Sequence, residues 1–155
     1  MAVDGVCLTV TECHNGILAF DLMKETLEKT TLKSFAPGCR VNLERALKLS
    51  DRLGGHFLTG HVDAIGILRA KIILKNYVEL RIGLKERLMR YIVPKGSIAV
   101  DGVSLTVGEN PRGKTFSVYL IPYTLKATTL GQKGISDQVN IETDILAKYA
   151  LISKY

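Results

Sequence analysis

The chain has 155 residues and a mass of 17.0 kDa, room for one domain or two very small ones. Its 46% hydrophobic and 23% charged residues exclude a disordered, collagen-like or low-complexity chain. The longest apolar run, residues 65–74, is cut by Arg69 and Lys71 and falls short of the roughly 18 residues of a membrane span.

The N-terminus, Met-Ala-Val-Asp, has none of the basic and apolar blocks of a signal peptide, so the expected compartment is the cytoplasm. Three cysteines (Cys7, Cys13, Cys39) at irregular spacing, with no Cys-x-x-Cys pair, point to reduced thiols, not a disulfide framework or a zinc site. The net charge is +6, and eight basic against two acidic residues crowd between Arg69 and Lys95. That stretch reads as a phosphate-tracking patch or as the solvated face of a strand and a short helix. Only Tyr77 and Tyr91 are available there for base stacking, which argues against a nucleic-acid partner.

In chain order, Asp4-Gly5 is a turn signal ahead of a strand in which Val6, Leu8 and Val10 alternate with Cys7 and Thr9. Residues 19–22 form a short return strand, residues 24–32 a helical turn, and Pro37-Gly38 breaks the chain before a strand at Val41. Residues 77–82 are another strand. Residues 85–93 predict an amphipathic helix, with Leu84, Leu88 and Ile92 on one face, stopped by Pro94 and Gly96. Asp101-Gly102 then precedes a strand through Val103, Leu105 and Val107. A return strand at 115–121, a helical turn at 123–130, a break at Ser136-Asp137 and a strand at Val139 complete the series.

The later elements repeat the earlier ones. Ala2-Val-Asp-Gly-Val-Cys-Leu-Thr-Val10 recurs as Ala99-Val-Asp-Gly-Val-Ser-Leu-Thr-Val107, with eight of nine positions identical. Thr26-Leu27 recurs as Thr124-Leu125, and Val41-Asn-Leu-Glu44 as Val139-Asn-Ile-Glu142. This is a duplicated module. Many short strands, glycine-rich turns and no alternating long helices predict an all-β chain of two small closed barrels, used once at residues 1–58 and once at 59–155. The second copy has 40 residues (59–98) ahead of its Ala-Val-Asp-Gly block; the first has only Met1. A barrel short of its opening strands keeps unpaired edges, so the reading frame is expected to extend upstream by about forty residues.

On these motifs, with Leu22-Met-Lys-Glu-Thr-Leu27, Asp51-Arg-Leu-Gly-Gly-His-Phe-Leu-Thr-Gly-His61 and Val139-Asn-Ile-Glu-Thr-Asp144, the sequence resembles the riboflavin synthase α-chain family over essentially its whole length. The resemblance implies two homologous Greek-key barrels with short helices, followed by a C-terminal helix that joins three chains. It implies transfer of a four-carbon unit between two 6,7-dimethyl-8-ribityllumazine molecules, giving riboflavin and a ribitylaminopyrimidinedione, with no metal and no bound cofactor. A homotrimer and an association with lumazine synthase are the expected partners, with no membrane. Two departures stand out: no Met-Phe-Thr-Gly-like segment precedes the first copy, and the tail after Asp144 is short for a trimerising helix.

By the same resemblance the first pocket is expected to hold Cys7, Leu8 and Thr9, the segment Asp21, Leu22, Met23, Lys24, Glu25 and Thr26, and the loop Gly60, His61 and Val62. The second is expected to hold Lys95, Ser104, Leu105 and Thr106 with Ile121, Pro122, Tyr123, Thr124, Leu125 and Lys126. Hydroxyls and backbone groups suit a flat heterocycle carrying a polyol. Where the copies diverge, Cys7 facing Ser104, a thiol can supply a nucleophile or pass a proton more readily than a hydroxyl, unless Cys7 is a small buried hydrophobe. The resemblance implies a site between barrel one of one subunit and barrel two of a neighbour, with His61 lining the first pocket from the neighbouring chain and moving protons. His56 is expected to hydrogen-bond within its own loop. Asp144, with Ala46 at the equivalent position, is expected to orient the ring or accept a proton, the alternative being a solvated surface aspartate. Cys7, His61, Ser104 and Asp144 are therefore the catalytic candidates. Asp4 and Asp101 read as turn formers. Competing readings are a non-catalytic lumazine- or flavin-binding relative, an inactive shortened synthase, and an oligonucleotide-binding barrel.

Overall fold

The computed structural model describes residues 1–109 and 111–152. The described residues fold into eleven short strands and four short helices, those strands pairing antiparallel throughout. Among the described residues no helix is long and apolar enough to cross a membrane.

The second repeat is a near-closed barrel. Its strands are β6 (Ala64–Ile73), β7 (Val78–Gly83), β8 (Ser97–Val100), β9 (Val103–Thr106), β10 (Thr115–Leu120) and β11 (Gln138–Thr143), in the order β10-β7-β6-β11-β8-β9. A bridge between Val107 and Val118, with the Gly108 N–H donating to Ser117 O at 2.8 Å, brings the two outer strands together. Period-two alternation does the packing: Val78, Leu80 and Ile82 of β7, and Phe116, Val118 and Leu120 of β10, all point inward. Between the strands lie α2 (Glu86–Met89) and α3 (Pro122–Ala127); α4 (Ile145–Ile152) follows as the expected short C-terminal helix.

The first repeat is the same hairpin on a smaller base. Strands β1 (Ala2–Val3), β2 (Val6–Cys7) and β5 (Leu43–Glu44) form a three-stranded sheet, and β3 (Val10–His14) and β4 (Ile17–Phe20) form a separate hairpin. Helix α1 (Lys24–Lys29) and a 3-10 turn at Thr31–Ser34 cover it, as α3 and the turn at Thr129–Gly131 cover the barrel. Its core is Val3, Val6, Leu8 and Leu32, flanked by Phe20, Leu27, Val41 and Val62.

Two local expectations change. The strand expected from Val6 to Val10 is interrupted: Leu8 still exchanges hydrogen bonds with Met1 (both 2.9 Å), the last rung of the β1–β2 ladder, and the chain resumes as β3 at Val10. The helix expected over 85–93 is a single α-turn followed by tighter i to i−3 bonds at Tyr91 and Ile92. Its apolar face is as expected: Leu84 and Ile92 are buried and Leu88 packs on the core.

A reciprocal network joins the repeats. Asp4 (φ 43°) and Gly5 (φ 76°), like Asp101 (φ 47°) and Gly102 (φ 78°), hold both central positions of a two-residue hairpin turn in the left-handed region. The two turns abut so closely that a Cβ on Gly5 would sit 2.6 Å from Gly102 N, and one on Gly102 2.7 Å from Gly5 N. The Asn42 side chain donates to Asp101 O (2.9 Å) and accepts from the Thr129 N–H (2.8 Å). Asn140 does the mirror image, donating to Asp4 O (2.9 Å) and accepting from Thr31 N–H (2.8 Å). Each aspartate carboxylate caps its own repeat's asparagine N–H, Asp4 to Asn42 at 2.7 Å and Asp101 to Asn140 at 2.6 Å. The aspartates are thus turn formers, as expected, and also the hub of the junction.

Candidate functional site

Beside that junction, a cavity of about 560 Å³ opens between the repeats. Its wall includes Cys7 from β2 and Ser104 from β9, equivalent positions of the duplicated hairpin, with Gly55, His56, Gly60 and Glu142 around them. Cys7 is exposed, which overturns the reading of it as a small buried hydrophobe.

The Gly-Gly-His-x-x-x-Gly-His segment lies along this wall and touches both equivalent positions. At its far end Gly60 O accepts the Cys7 N–H at 2.8 Å, and a Cβ on Gly60 would stand 2.6 Å from Cys7 Cβ. Gly60 also has φ +77°, so both space and backbone call for glycine there. At its near end, a Cβ on Gly55 would stand 2.6 Å from Ser104 Cβ, and His56 Nδ1 lies 2.7 Å from Ser104 Oγ. His56 therefore bonds across to the second repeat and not within its own loop, a correction to the sequence reading. Burial pushes its imidazole below the ordinary value, against the opposing pull of Asp144 and Glu142.

Glu142, near the end of β11, anchors the same segment. Its carboxylate is buried and accepts from Thr59 N (2.7 Å), Thr59 Oγ1 (2.7 Å) and Gly60 N (3.0 Å). One residue on, Thr143 N and Oγ1 both donate to Asp63 Oδ2 at 2.7 Å, and Lys148 Nζ reaches Asp63 Oδ1 at 2.7 Å. Residues 59–63 are thereby stitched to the barrel while Val62 packs against the first repeat's core.

Beyond Cys7, Gly60 and Ser104, the expected site residues lie outside the cavity wall. In the first repeat Thr9 and residues 21–25 are exposed, and Thr26 O accepts the Thr30 hydroxyl at 2.6 Å. His61 is exposed, its N–H 3.3 Å from Thr59 Oγ1. In the second repeat Thr106, Ile121, Pro122, Tyr123 and Lys126 are exposed, Leu105 and Leu125 pack against the core, and Thr124 O accepts the Thr128 hydroxyl at 2.7 Å. Lys95, itself at φ 62°, pairs with Glu109 at 3.0 Å. Asp144 caps α4: its Oδ1 accepts the Leu146 N–H at 3.0 Å. That gives its carboxylate a structural task which neither sequence reading foresaw. Thr9, His61, Lys95, Thr106 and Asp144 lie outside the cavity wall. Sequence reasoning passed over Glu142 and the two asparagines; their recurrence in Val-Asn-x-Glu was the signal that could have found them.

Comparison with known proteins agrees with this architecture. The lumazine binding domain family matches residues 1–46 and 59–144. Riboflavin synthase from Mycobacterium tuberculosis (strain H37Rv) is 47% identical over 153 residues, covering 96% of this chain and 76% of its own length. The riboflavin synthase of Escherichia coli K12 is 45% identical over 145 residues, covering 93% and 68%. Among solved structures, LumP complexed with riboflavin superposes with a TM-score of 0.84 at 24% identity, covering 92% of this chain and 77% of that one, a likeness of fold. This chain belongs to the riboflavin synthase family, built on the lumazine binding domain.

Proposed function

We infer that this chain acts as a riboflavin synthase, exchanging a four-carbon unit between two molecules of 6,7-dimethyl-8-ribityllumazine. One molecule gives up the unit and becomes 5-amino-6-(ribitylamino)uracil, and the other gains it and becomes riboflavin. Atoms and electrons balance within the substrate pair, so no added oxidant or reductant is required.

The observation that carries the reading is the meeting of two equivalent hairpins at one cavity with different side chains, Cys7 and Ser104. A reaction that uses one compound in two roles calls for two similar sites that are not identical. Holding two reactants in register contributes up to about 7–11 kcal/mol by removing the entropy of encounter. In this reading residues 1–58 and 59–155 supply one lumazine pocket each. Cys7, Leu8 and Thr9 with Gly60, His61, Val62 and residues 21–26 hold one ring. Lys95, Ser104, Leu105 and Thr106 with residues 121–126 hold the other. Cys7 is the nucleophile or proton carrier toward the acceptor ring, and His61 moves protons near neutral pH. Ser104 and Thr106 orient the second ring, with Asp144 beside the site as cap of α4. A cytoplasmic homotrimer, placing one repeat against a neighbour's other repeat, and an association with lumazine synthase complete the proposal.

The test is to titrate 6,7-dimethyl-8-ribityllumazine by fluorescence and follow riboflavin formation by absorbance. Saturable binding with formation of riboflavin and the pyrimidinedione in equal amounts supports the reading. Saturable binding without product points instead to a lumazine-binding protein.

A further inference from the structure

We propose that Glu142 is a positioning residue that holds the Thr59-Gly60-His61 turn against Cys7 and so sets the geometry of the first repeat's pocket. The proposal rests on the synthase reading for its catalytic consequence, but its structural half stands on the geometry alone.

Glu142 sits near the end of β11, in the barrel of the second repeat. Its carboxylate, 5% exposed, accepts three hydrogen bonds, all from Thr59 and Gly60. A buried carboxylate served by two backbone N–H groups and a hydroxyl fixes the orientation of both peptide planes, because each donor must aim at it. The Gly60 N–H aimed at Glu142 fixes the Thr59–Gly60 peptide, and with Gly60 at φ 77° the following peptide presents Gly60 O to the Cys7 N–H at 2.8 Å. Thr59 Oγ1, held by the same carboxylate, is also 3.3 Å from the His61 N–H. One side chain therefore orders both flanks of the pocket, the strand carrying Cys7 and the turn carrying His61. Close packing leaves the turn little freedom to compensate, since Gly60 already lies against Cys7 with no room for a Cβ. In the first repeat the equivalent Glu44 lies on the exposed edge strand β5, so this device belongs to the second repeat alone among the described residues.

The experiment uses the full chain with Glu142→Gln, which keeps one acceptor oxygen but turns an amide N–H₂ toward a donor. A second variant, Thr59→Val, leaves the buried carboxylate in place and removes only the hydroxyl. Amide hydrogen exchange is read residue by residue, together with kcat and the Kd for 6,7-dimethyl-8-ribityllumazine. In Glu142→Gln, exchange at Cys7 and Gly60 should accelerate about tenfold or more, while amides of Val78–Gly83 keep their protection. Thr59→Val should produce the same pattern with a smaller change. Turnover in Glu142→Gln should fall about tenfold, with kcat affected more than the Kd of the second repeat's pocket. Unchanged exchange at Cys7 overturns the proposal, as does loosening spread evenly over the barrel. A parent chain that binds lumazine but makes no riboflavin removes the synthase reading, and the exchange at Cys7 still decides whether Glu142 positions the turn.

Discussion

Among the described residues, the second repeat wraps one six-stranded sheet around sixteen buried apolar side chains, whereas the first has a three-stranded sheet and a separate hairpin over four. Yet the turn geometry, the asparagine bonds and the aspartate caps are nearly superimposable between them. Local conformation at the junction is thus independent of how much barrel stands behind it. A two-residue turn needs only its own positive-φ residues, while a core needs strands brought from far along the chain. The difference also separates two tasks: the second repeat carries the packing, and the first presents the exposed Cys7 thiol to the cavity.

The largest test of this asymmetry is truncation in each core. Phe116→Ala, in the barrel, should cost about 3–5 kcal/mol in denaturant unfolding, and Leu32→Ala, in the thin core, about 2–3 kcal/mol. Equal costs would break the comparison.

Next comes pH. Asp101 is buried, and its pKa is pushed from 3.8 up to about 6, chiefly by burial, opposed by Lys133 at 3.3 Å and raised further by Asp4. Burial likewise raises Asp4. The folded state therefore holds protons that the unfolded chain has released between about pH 4 and 6. This contribution to stability is complete below the unfolded pKa and is lost as pH rises through the folded one. Asp101→Asn removes the titration, so its stability relative to the parent should climb over that window by up to about 3 kcal/mol. Urea unfolding at a series of pH values reads the slope; parallel profiles would show that the junction does not titrate.

A smaller effect tests the reciprocity of the turns. Gly5→Ala and Gly102→Ala each force a Cβ into the other repeat's backbone at positive φ and should cost about 2 kcal/mol apiece. Thermal unfolding of the pair reads this, and clearly unequal losses would show that the junction is symmetric in geometry only. Smallest in stability is Cys7→Ser, which makes the repeats alike at their point of divergence. At an exposed position it should change stability by under about 0.5 kcal/mol while slowing riboflavin formation about tenfold. Full activity would place the division of roles elsewhere.

Much of this was legible in the residues themselves. The duplicated Ala-Val-Asp-Gly block marked both hairpins, and their Asp-Gly pairs specified turns, because that dipeptide tolerates two successive left-handed residues. Alternation in Val78, Leu80 and Ile82 and in Phe116, Val118 and Leu120 marked barrel walls, because a strand with one buried face has period two. The helix expected over 85–93 is shorter in the structure, since apolar residues at i, i+4 and i+8 are equally served by one α-turn and a tightened continuation.

Other features came from tertiary structure alone. That His56 would leave its loop for Ser104 and that Glu142 would reach back 83 residues to Thr59 are partnerships between segments far apart in sequence. So are the crossed bonds of Asn42 and Asn140, which read from the chain as two more strand residues. Periodicity and turn chemistry report what a residue does to its neighbours a few positions away. A buried polar side chain is instead assigned by whichever unpaired donors and acceptors the folded backbone leaves within about 3 Å, and those are known only once the strands have been laid side by side.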